Sequence, residues 1–492
     1  MTTNPLHFPE GNPFLEDNLR PVANEITDVH LKATGTIPAY LDGRYLRNGP
    51  NPVAEVDPET YAWFAGDGMV HGVRLRDGQA HWYRNRYVRS TTVAHALGER
   101  TPRNRFRDGF RAIGANTNVI GHAGKTLALV EGGVASFEMT DELDTVGTCS
   151  FDGTLHGGYT AHPLRDPESG ELHAISYSFG RGNTVQYSVI GRDGRARRNI
   201  DIEVNGSPMM HGFALTSNYV LVFDFPVTFD QAAAASLSMP RRLRKPAELV
   251  LNALIGRVHL PDPITIAIGN LAPGNKGFPY SWDNDYPARI GVLPREAPAT
   301  AIRWFDIEPC YIFHQANAYE DGDTIVLDGV RHRRVFDQNR RDPIEGDPAM
   351  HRWVLNLLTG TVHESQIDDR LQEFPRVDER VVGRPHRYAY APMLSEESEG
   401  PTGVILKHDL HTGNTIARDL GPGKEAAEFV FEPASADAAE DDGVLMGYVY
   451  DRADDRTDLT FLDAGTLETV GQVHLPQRVP HGFHGNWVPT GL

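Results

Sequence analysis

The chain has 492 residues, with 47 lysines and arginines against 66 aspartates and glutamates, a formal net charge of −19 at neutral pH. A nucleic-acid binder normally displays a basic face, so that balance disfavours the class, and the acidity reads as solubility. With only Cys149 and Cys310, neither a disulfide framework nor a cysteine zinc cluster is available.

Residues 1–35 are polar and proline-containing, and read as an arm laid over the surface of a single domain spanning 36–492. The start, Met1-Thr2-Thr3-Asn4-Pro5, lacks a basic region followed by an apolar one, and no apolar run approaches the roughly 20 residues of a membrane span. A soluble protein of a reducing compartment, the cytoplasm, is expected. Leu41-Asp42-Gly43-Arg44-Tyr45-Leu46-Arg47-Asn48-Gly49-Pro50 then alternates like a strand and ends in turn residues. Trp63-Phe64-Ala65-Gly66-Asp67-Gly68-Met69-Val70-His71 places a glycine-punctuated loop before another strand.

From there short β-type runs bracket Asp-Gly or Thr-Gly turns, as at Asp77-Gly78, Asp193-Gly194, Thr359-Gly360 and Thr412-Gly413, with Asp463-Ala464-Gly465 later. Their recurrence without βαβ spacing predicts an all-β protein of antiparallel sheets arranged radially, a β-propeller, with β-sandwich domains as the alternative. No exact period, and so no blade number, is readable from these turns. One stretch breaks the pattern. Between residues 231 and 260, Leu251, Leu254 and Ile255 recur at helical spacing behind the basic cluster Arg241, Arg242, Arg244 and Lys245. This predicts an insert helix, either packed on the sheet or dipping an apolar face into a membrane surface as a peripheral contact.

The chain carries 21 histidines. Those among polar neighbours, including His332, His351 and His408, are expected at the surface or with one satisfied core hydrogen bond. Four others end or interrupt apolar or aromatic runs and should point inward, where an imidazole needs a partner. They are His162 in Tyr159-Thr160-Ala161-His162-Pro163, His211 in Met209-Met210-His211-Gly212-Phe213, His314 in Tyr311-Ile312-Phe313-His314, and His484 in Gly482-Phe483-His484-Gly485. One shared metal ion would serve all four. Their wide separation excludes a helix-borne pair but suits a propeller, whose inner strands converge on one axis. Neutral imidazoles favour a transition metal over calcium or magnesium. Each ring's second nitrogen calls for an acceptor, and Glu131, Glu373 and Glu428 sit beside apolar residues where a carboxylate needs a donor.

Taken together, several stretches resemble the carotenoid cleavage oxygenase family over nearly the whole chain, with an actinobacterial look. They are Arg44-Tyr45-Leu46-Arg47-Asn48-Gly49-Pro50-Asn51-Pro52, Gly66-Asp67-Gly68-Met69-Val70-His71, Ala115-Asn116-Thr117-Asn118-Val119, Gly158-Tyr159-Thr160-Ala161-His162-Pro163, Arg289-Ile290-Gly291-Val292-Leu293-Pro294-Arg295, Glu373-Phe374-Pro375, Glu440-Asp441-Asp442-Gly443 and Phe483-His484-Gly485. The resemblance implies a seven-bladed β-propeller with helical and loop inserts capping the active-site face. It implies one Fe2+ held by His162, His211, His314 and His484, with Glu131, Glu373 and Glu428 orienting His211, His314 and His484 and no carboxylate for His162. It further implies that Thr117 faces an open coordination position and that Val130 and Phe313 line a substrate tunnel.

The activity so implied is that of an iron-dependent dioxygenase, which uses O2 to split a carbon–carbon double bond of a carotenoid or apocarotenoid into two carbonyl products. Stilbene-cleaving relatives carry a lysine just before the first of the three glutamates. Here that residue is Val130, which argues against a hydroxystilbene. Cleavage of a stilbenoid or other phenylpropenoid, or a propeller that binds carotenoid without turnover, are the alternatives.

Overall fold

In the computed structural model the described residues are 11–101, 114–269, 279–339, 345–396 and 400–491. The first ten residues of the expected N-terminal arm lie outside them. Seven antiparallel sheets stand around one axis, so the expected seven-bladed propeller is the observed fold.

Blade 1 is built from Thr27–Asp28, Gln79–Tyr87, Gly68–Arg76, Gly43–Pro50 and Gly485–Pro489. Blade 2 uses Asn118–His122, Lys125–Leu129, Ser136–Met139 and Thr145–Cys149, and blade 3 uses Leu164–Arg165, Leu172–Ser176, Thr184–Ile190 and Ala196–Glu203. Blade 4 comprises Phe213–Leu215, Tyr219–Asp224, Arg289–Pro294 and Arg303–Asp306; blade 5 comprises Gln315–Asp321, Thr324–Arg331, Ala349–Asn356 and Val362–Asp368. Blade 6 is Tyr388–Leu394, Pro401–Asp409 and Asn414–Asp419, to which the segment through Glu373 adds two bridges, Gln372 to Met393 and Arg376 to Tyr390. Blade 7 holds Val430–Pro433, Lys424–Ala426, Gly443–Asp451, Arg456–Asp463, Thr469–His474 and the N-terminal strand Lys32–Gly35.

Each end of the chain therefore completes a blade begun by the other. Lys32–Gly35 pairs with Thr469–His474, and Gly485–Pro489 becomes the axial strand of blade 1 by pairing with Gly43–Pro50. Ladder hydrogen bonds close the ring.

Alternation along each strand fills the space between blades. In Ala349–Asn356, Trp353 and Leu355 are buried while their neighbours Arg352 and Val354 are half-buried. Trp353 joins Phe223, Ile325, Leu327 and Val292 in a core shared by blades 4 and 5. Full burial of an aromatic of this size contributes about 3 kcal/mol relative to exposure. The outermost strand of blade 5, Val362–Asp368, instead exposes His363, Ser365 and Gln366, polar groups that discourage edge-to-edge pairing.

Four helices interrupt the strands among the described residues: α1 (Thr91–Ala96), α2 (Gln231–Ser238), α3 (Arg244–Leu254) and α4 (Asp262–Gly269). The last three lie between the second and third strands of blade 4, beyond a ribbon in which Val227–Phe229 pairs with Tyr280–Trp282. Asp230 caps α2 through Ala233 N–H, an arrangement that satisfies an otherwise unpaired donor. In α3, Leu251 and Leu254 pack against the core, whereas Leu249 is 71% and Val250 58% exposed. Because axial strands run away from the face where their histidines stand, the second strands return to it. The helices therefore sit over the histidine face.

Candidate metal centre

One position recurs around the ring, at the start of each axial strand. His162 precedes Leu164–Arg165, His211 precedes Phe213–Leu215, His314 precedes Gln315–Asp321 and His484 precedes Gly485–Pro489. In the other three blades that place belongs to Thr117, Glu373 and Glu428, before or within the axial segments of blades 2, 6 and 7. Propeller geometry thus brings residues as distant as 162 and 484 to one point. Close backbone approach is part of this. A Cβ on Gly212 would lie 2.6 Å from the Phe313 carbonyl oxygen, so only glycine lets the His211 segment lie against the next blade.

The four imidazoles each offer one nitrogen to a cluster whose ligand atoms all lie within 4.8 Å of one another. Nε2 of His314 is 3.2 Å from Nε2 of His211 and 3.0 Å from Nε2 of His484. Ring centroids of His162 stand 4.1 Å from His211 and 4.7 Å from His484.

Behind these rings stand the three glutamates. Nδ1 of His211 donates to Glu131 at 2.9 Å, Nδ1 of His314 to Glu373 at 2.6 Å, and Nδ1 of His484 to Glu428 at 3.1 Å. Those pairings are the ones the family resemblance implies. His162 has no carboxylate, and its Nε2 is buried without a hydrogen-bond partner. Desolvation holds His162 well below the usual imidazole range and brings His314 down to about 4, so both are neutral at physiological pH. Glu428 is lowered to about 2: His484 and Arg376 overcome the opposing cost of burial. Glu373 is likewise depressed, by His314 and His332 against the cost of burial.

These observations fit a bound cation. With each Nδ1 proton given to a glutamate, the Nε2 atoms of His211, His314 and His484 carry lone pairs that face one another at hydrogen-bond distance. One shared proton could satisfy a single pair and would leave His162 unpaired. A metal ion satisfies all four.

The remaining expected residues take up nearby places. Thr117 accepts the His484 backbone N–H through its carbonyl at 3.1 Å, while its hydroxyl donates to Asn116 at 3.0 Å. Phe313 places its ring 5.0 Å from His211, edge to face. Val130 is buried in a cluster with Val119, Ala128 and Phe137.

Three contributors were not singled out from the sequence. Phe374 stacks on His314 at 4.9 Å and 28°, and its backbone adopts a φ of +52°, a conformation costly for a bulky residue. Arg376 bridges Glu428, Glu379 and Asn486. His332 bonds Glu373 from the side opposite His314. Phe374 and Arg376 adjoin Glu373 in sequence, so that stretch was already marked. His332 lies in the run Arg331-His332-Arg333-Arg334, whose polarity left surface exposure and one satisfied core hydrogen bond both open; the second is observed.

Two distinct environments meet at the cluster. On the helix face, Phe313, Phe336, Phe64, Phe483 and Trp63 form a chain of aromatic contacts at 4.6–6.3 Å. On the opposite side, a cavity of about 310 Å³ along the axis is lined by polar groups including Arg165, Arg376, Glu379 and Glu432, and reaches His162, His314 and His484.

Comparison with known proteins gives the same picture. The family model described as retinal pigment epithelial membrane protein matches residues 19–489. A carotenoid cleavage oxygenase of Mycobacterium tuberculosis is 56% identical, over 97% of this chain and 98% of its own length. Among solved structures, Pseudomonas brassicacearum lignostilbene dioxygenase superposes with a TM-score of 0.80 at 25% identity, covering 98% of this chain and 100% of that one. A cobalt-substituted Synechocystis apocarotenoid oxygenase shares the fold, with a TM-score of 0.77 at 24% identity and coverage of 96% and 97%. With its propeller, its tetrad of imidazoles and a relative this similar along the full length, the chain belongs to the carotenoid cleavage oxygenase family.

Proposed function

We propose that this protein is an iron(II)-dependent dioxygenase that cleaves one double bond of a carotenoid or apocarotenoid with O2. The observation that carries this reading is the set of four converging imidazoles, three of them braced by carboxylates. His162, His211, His314 and His484 would hold the iron. When bound, ferrous iron supplies the one-electron chemistry that lets O2 react with a closed-shell alkene. Both oxygen atoms go to the products, one to each carbonyl, so no further oxidant or reductant is required.

The protein's own part is positioning. Glu131, Glu373 and Glu428 fix the tautomer and plane of three rings, and keep each Nε2 available as a donor to the ion. Phe313 and Val130 supply apolar walls along which a polyene is held by shape, which decides the double bond presented to the centre. Among the described residues, the aromatic chain from Phe336 to Trp63 extends that wall. An apolar wall also excludes water from the reacting alkene. Thr117, whose carbonyl holds the His484 backbone N–H, would flank the bound iron.

The test is incubation of the iron-loaded protein with a panel of carotenoids, apocarotenals and 4-hydroxystilbenes, with products identified by mass. Two carbonyl fragments from polyenes, with no cleavage of the stilbenes, are expected. Preferential stilbene cleavage would replace the substrate class. Recovery of every substrate intact would support a binding protein instead. In the Val130→Lys variant, polyene turnover should fall, because a charged amine is costly in an apolar cluster.

The exposed Leu243, Leu249 and Val250, next to exposed Arg241, Arg242, Arg244 and Lys245, suit a peripheral contact with an anionic membrane surface that holds the substrate. Co-sedimentation with phosphatidylglycerol vesicles should therefore drop in a Leu249→Glu, Val250→Glu double variant. Equal sedimentation of both proteins would remove the proposed contact.

A further inference from the structure

Glu373 is gripped from two sides by the same blade. One carboxylate oxygen, Oε2, accepts from Nδ1 of His314 at 2.6 Å and from the Phe374 backbone N–H. The other, Oε1, accepts from Nε2 of His332 at 2.7 Å. His314 directly precedes the axial strand of blade 5, Gln315–Asp321, and His332 directly follows the strand paired with it, Thr324–Arg331, so both stand at the same end of that hairpin. Glu373 comes from blade 6 and enters between them.

His332 is 0% exposed, and its place is fixed by backbone as well as side chain. It forms a two-bond bridge with Tyr311, N–H to O at 2.9 and 2.8 Å. The Tyr311 hydroxyl donates to the Met209 carbonyl at 3.0 Å, two residues ahead of His211. The Phe313 ring meets the His332 ring edge to face at 5.0 Å. Nδ1 of His332 is buried with no hydrogen-bond partner. An apolar side chain would fill this place without leaving a nitrogen unpaired. The ring's polarity is used at one point only, the bond to Glu373.

We infer that His332 is a positioning residue of the metal centre: its Nε2–H locks the Glu373 carboxylate, and that carboxylate sets the plane and tautomer of His314. This rests on the reading of the four imidazoles as a metal site. Glu428, by comparison, is held by the Gly485 backbone N–H at 2.8 Å and by Arg376 at 3.4 Å, so each of these two carboxylates has its own buttress.

Cobalt(II) titration of the chelator-treated full-length protein tests this, read by affinity and by the visible absorption of bound cobalt. The variants are His332→Leu, His332→Asn and His332→Gln, with thermal melting of each as the check on folding. A glutamine amide reaches about as far as an imidazole Nε2 and keeps the donor, whereas asparagine falls short and leucine has none. Leucine and asparagine are expected to weaken cobalt binding at least about tenfold and to shift the absorption band, while glutamine stays within about threefold of the parent. Should leucine fail to fold, the asparagine and glutamine pair carries the comparison.

Parent-like affinity and band in folded His332→Asn, or a loss in His332→Gln equal to that in His332→Asn, would overturn the inference. A parent protein that takes up no cobalt would overturn the metal reading itself, and this inference with it.

Discussion

Replacing His211 or His484 by alanine is expected to give a folded protein that no longer retains ferrous iron. Structural zinc sites built from four protein ligands bind their ion with roughly 10–16 kcal/mol, which sets an upper scale for a ferrous site. One ligand in four therefore represents about 3 kcal/mol, or roughly a hundredfold in affinity, before any loss of geometry. Neither residue has a substitute in place. The fold should survive because backbone, not imidazole, holds these segments. The His484 N–H bonds to the Thr117 carbonyl at 3.1 Å and its carbonyl accepts the Asn48 N–H at 3.0 Å, so the axial strand of blade 1 stays anchored. After removal of the ring, Glu428 keeps the Gly485 N–H and Arg376 as partners. Metal content after gel filtration, with a melting curve on the same sample, checks both parts. Full metal content in either variant would exclude that histidine as a ligand.

Glu373→Gln is the second large effect, and its size follows from counting donors. Three groups donate to Glu373: His314 Nδ1, His332 Nε2 and the Phe374 N–H. A carboxylate accepts at both oxygens, but a glutamine offers one oxygen and one NH2. Either orientation sets an N–H against an N–H of one histidine. The buried side then loses a hydrogen bond and also the charge that holds His314 in its Nδ1–H tautomer. Such outer partners of metal ligands typically account for ten- to a hundredfold in metal affinity or activity, and the upper part of that range is expected here. Chelator-driven iron release should be faster by about that factor in the variant. An unchanged release rate would mean that Glu373 does not orient the ligand.

Much of the centre was legible because each ligand stands where an apolar run must enter the middle of the molecule. Tyr311-Ile312-Phe313-His314 cannot face water, so its histidine had to find a partner inside. The three glutamates were marked by the same reasoning, since a carboxylate between Val130 and Gly132, or beside Phe374 or Phe429, needs a donor. The blade number was not legible from the turns. Blade 1 joins strands from opposite ends of the chain, blade 4 is interrupted by the ribbon and helices, and the axial part of blade 6 is two isolated bridges. No local period survives such interruptions, and the count came only with the family resemblance.

His332 was only half legible: its polar neighbours left surface exposure and a single core hydrogen bond both open, and the structure shows the second. Its neighbour Arg334 pairs with Asp337 near the surface, while Arg331 pairs with a half-buried Glu364, so the charges around it point neither way. Residue alternation at the end of a strand sends the histidine inward all the same. Phe374 was unreadable for another reason, because a left-handed backbone at phenylalanine is imposed by its surroundings and not by its own preference.

The most direct test of the whole picture is anaerobic titration of Fe2+ into the chelator-treated protein, with bound iron counted per chain. Saturation at one ferrous ion per chain is expected, lost when any of the four imidazoles is removed. Saturation well below one, or a full equivalent retained without those histidines, would contradict it.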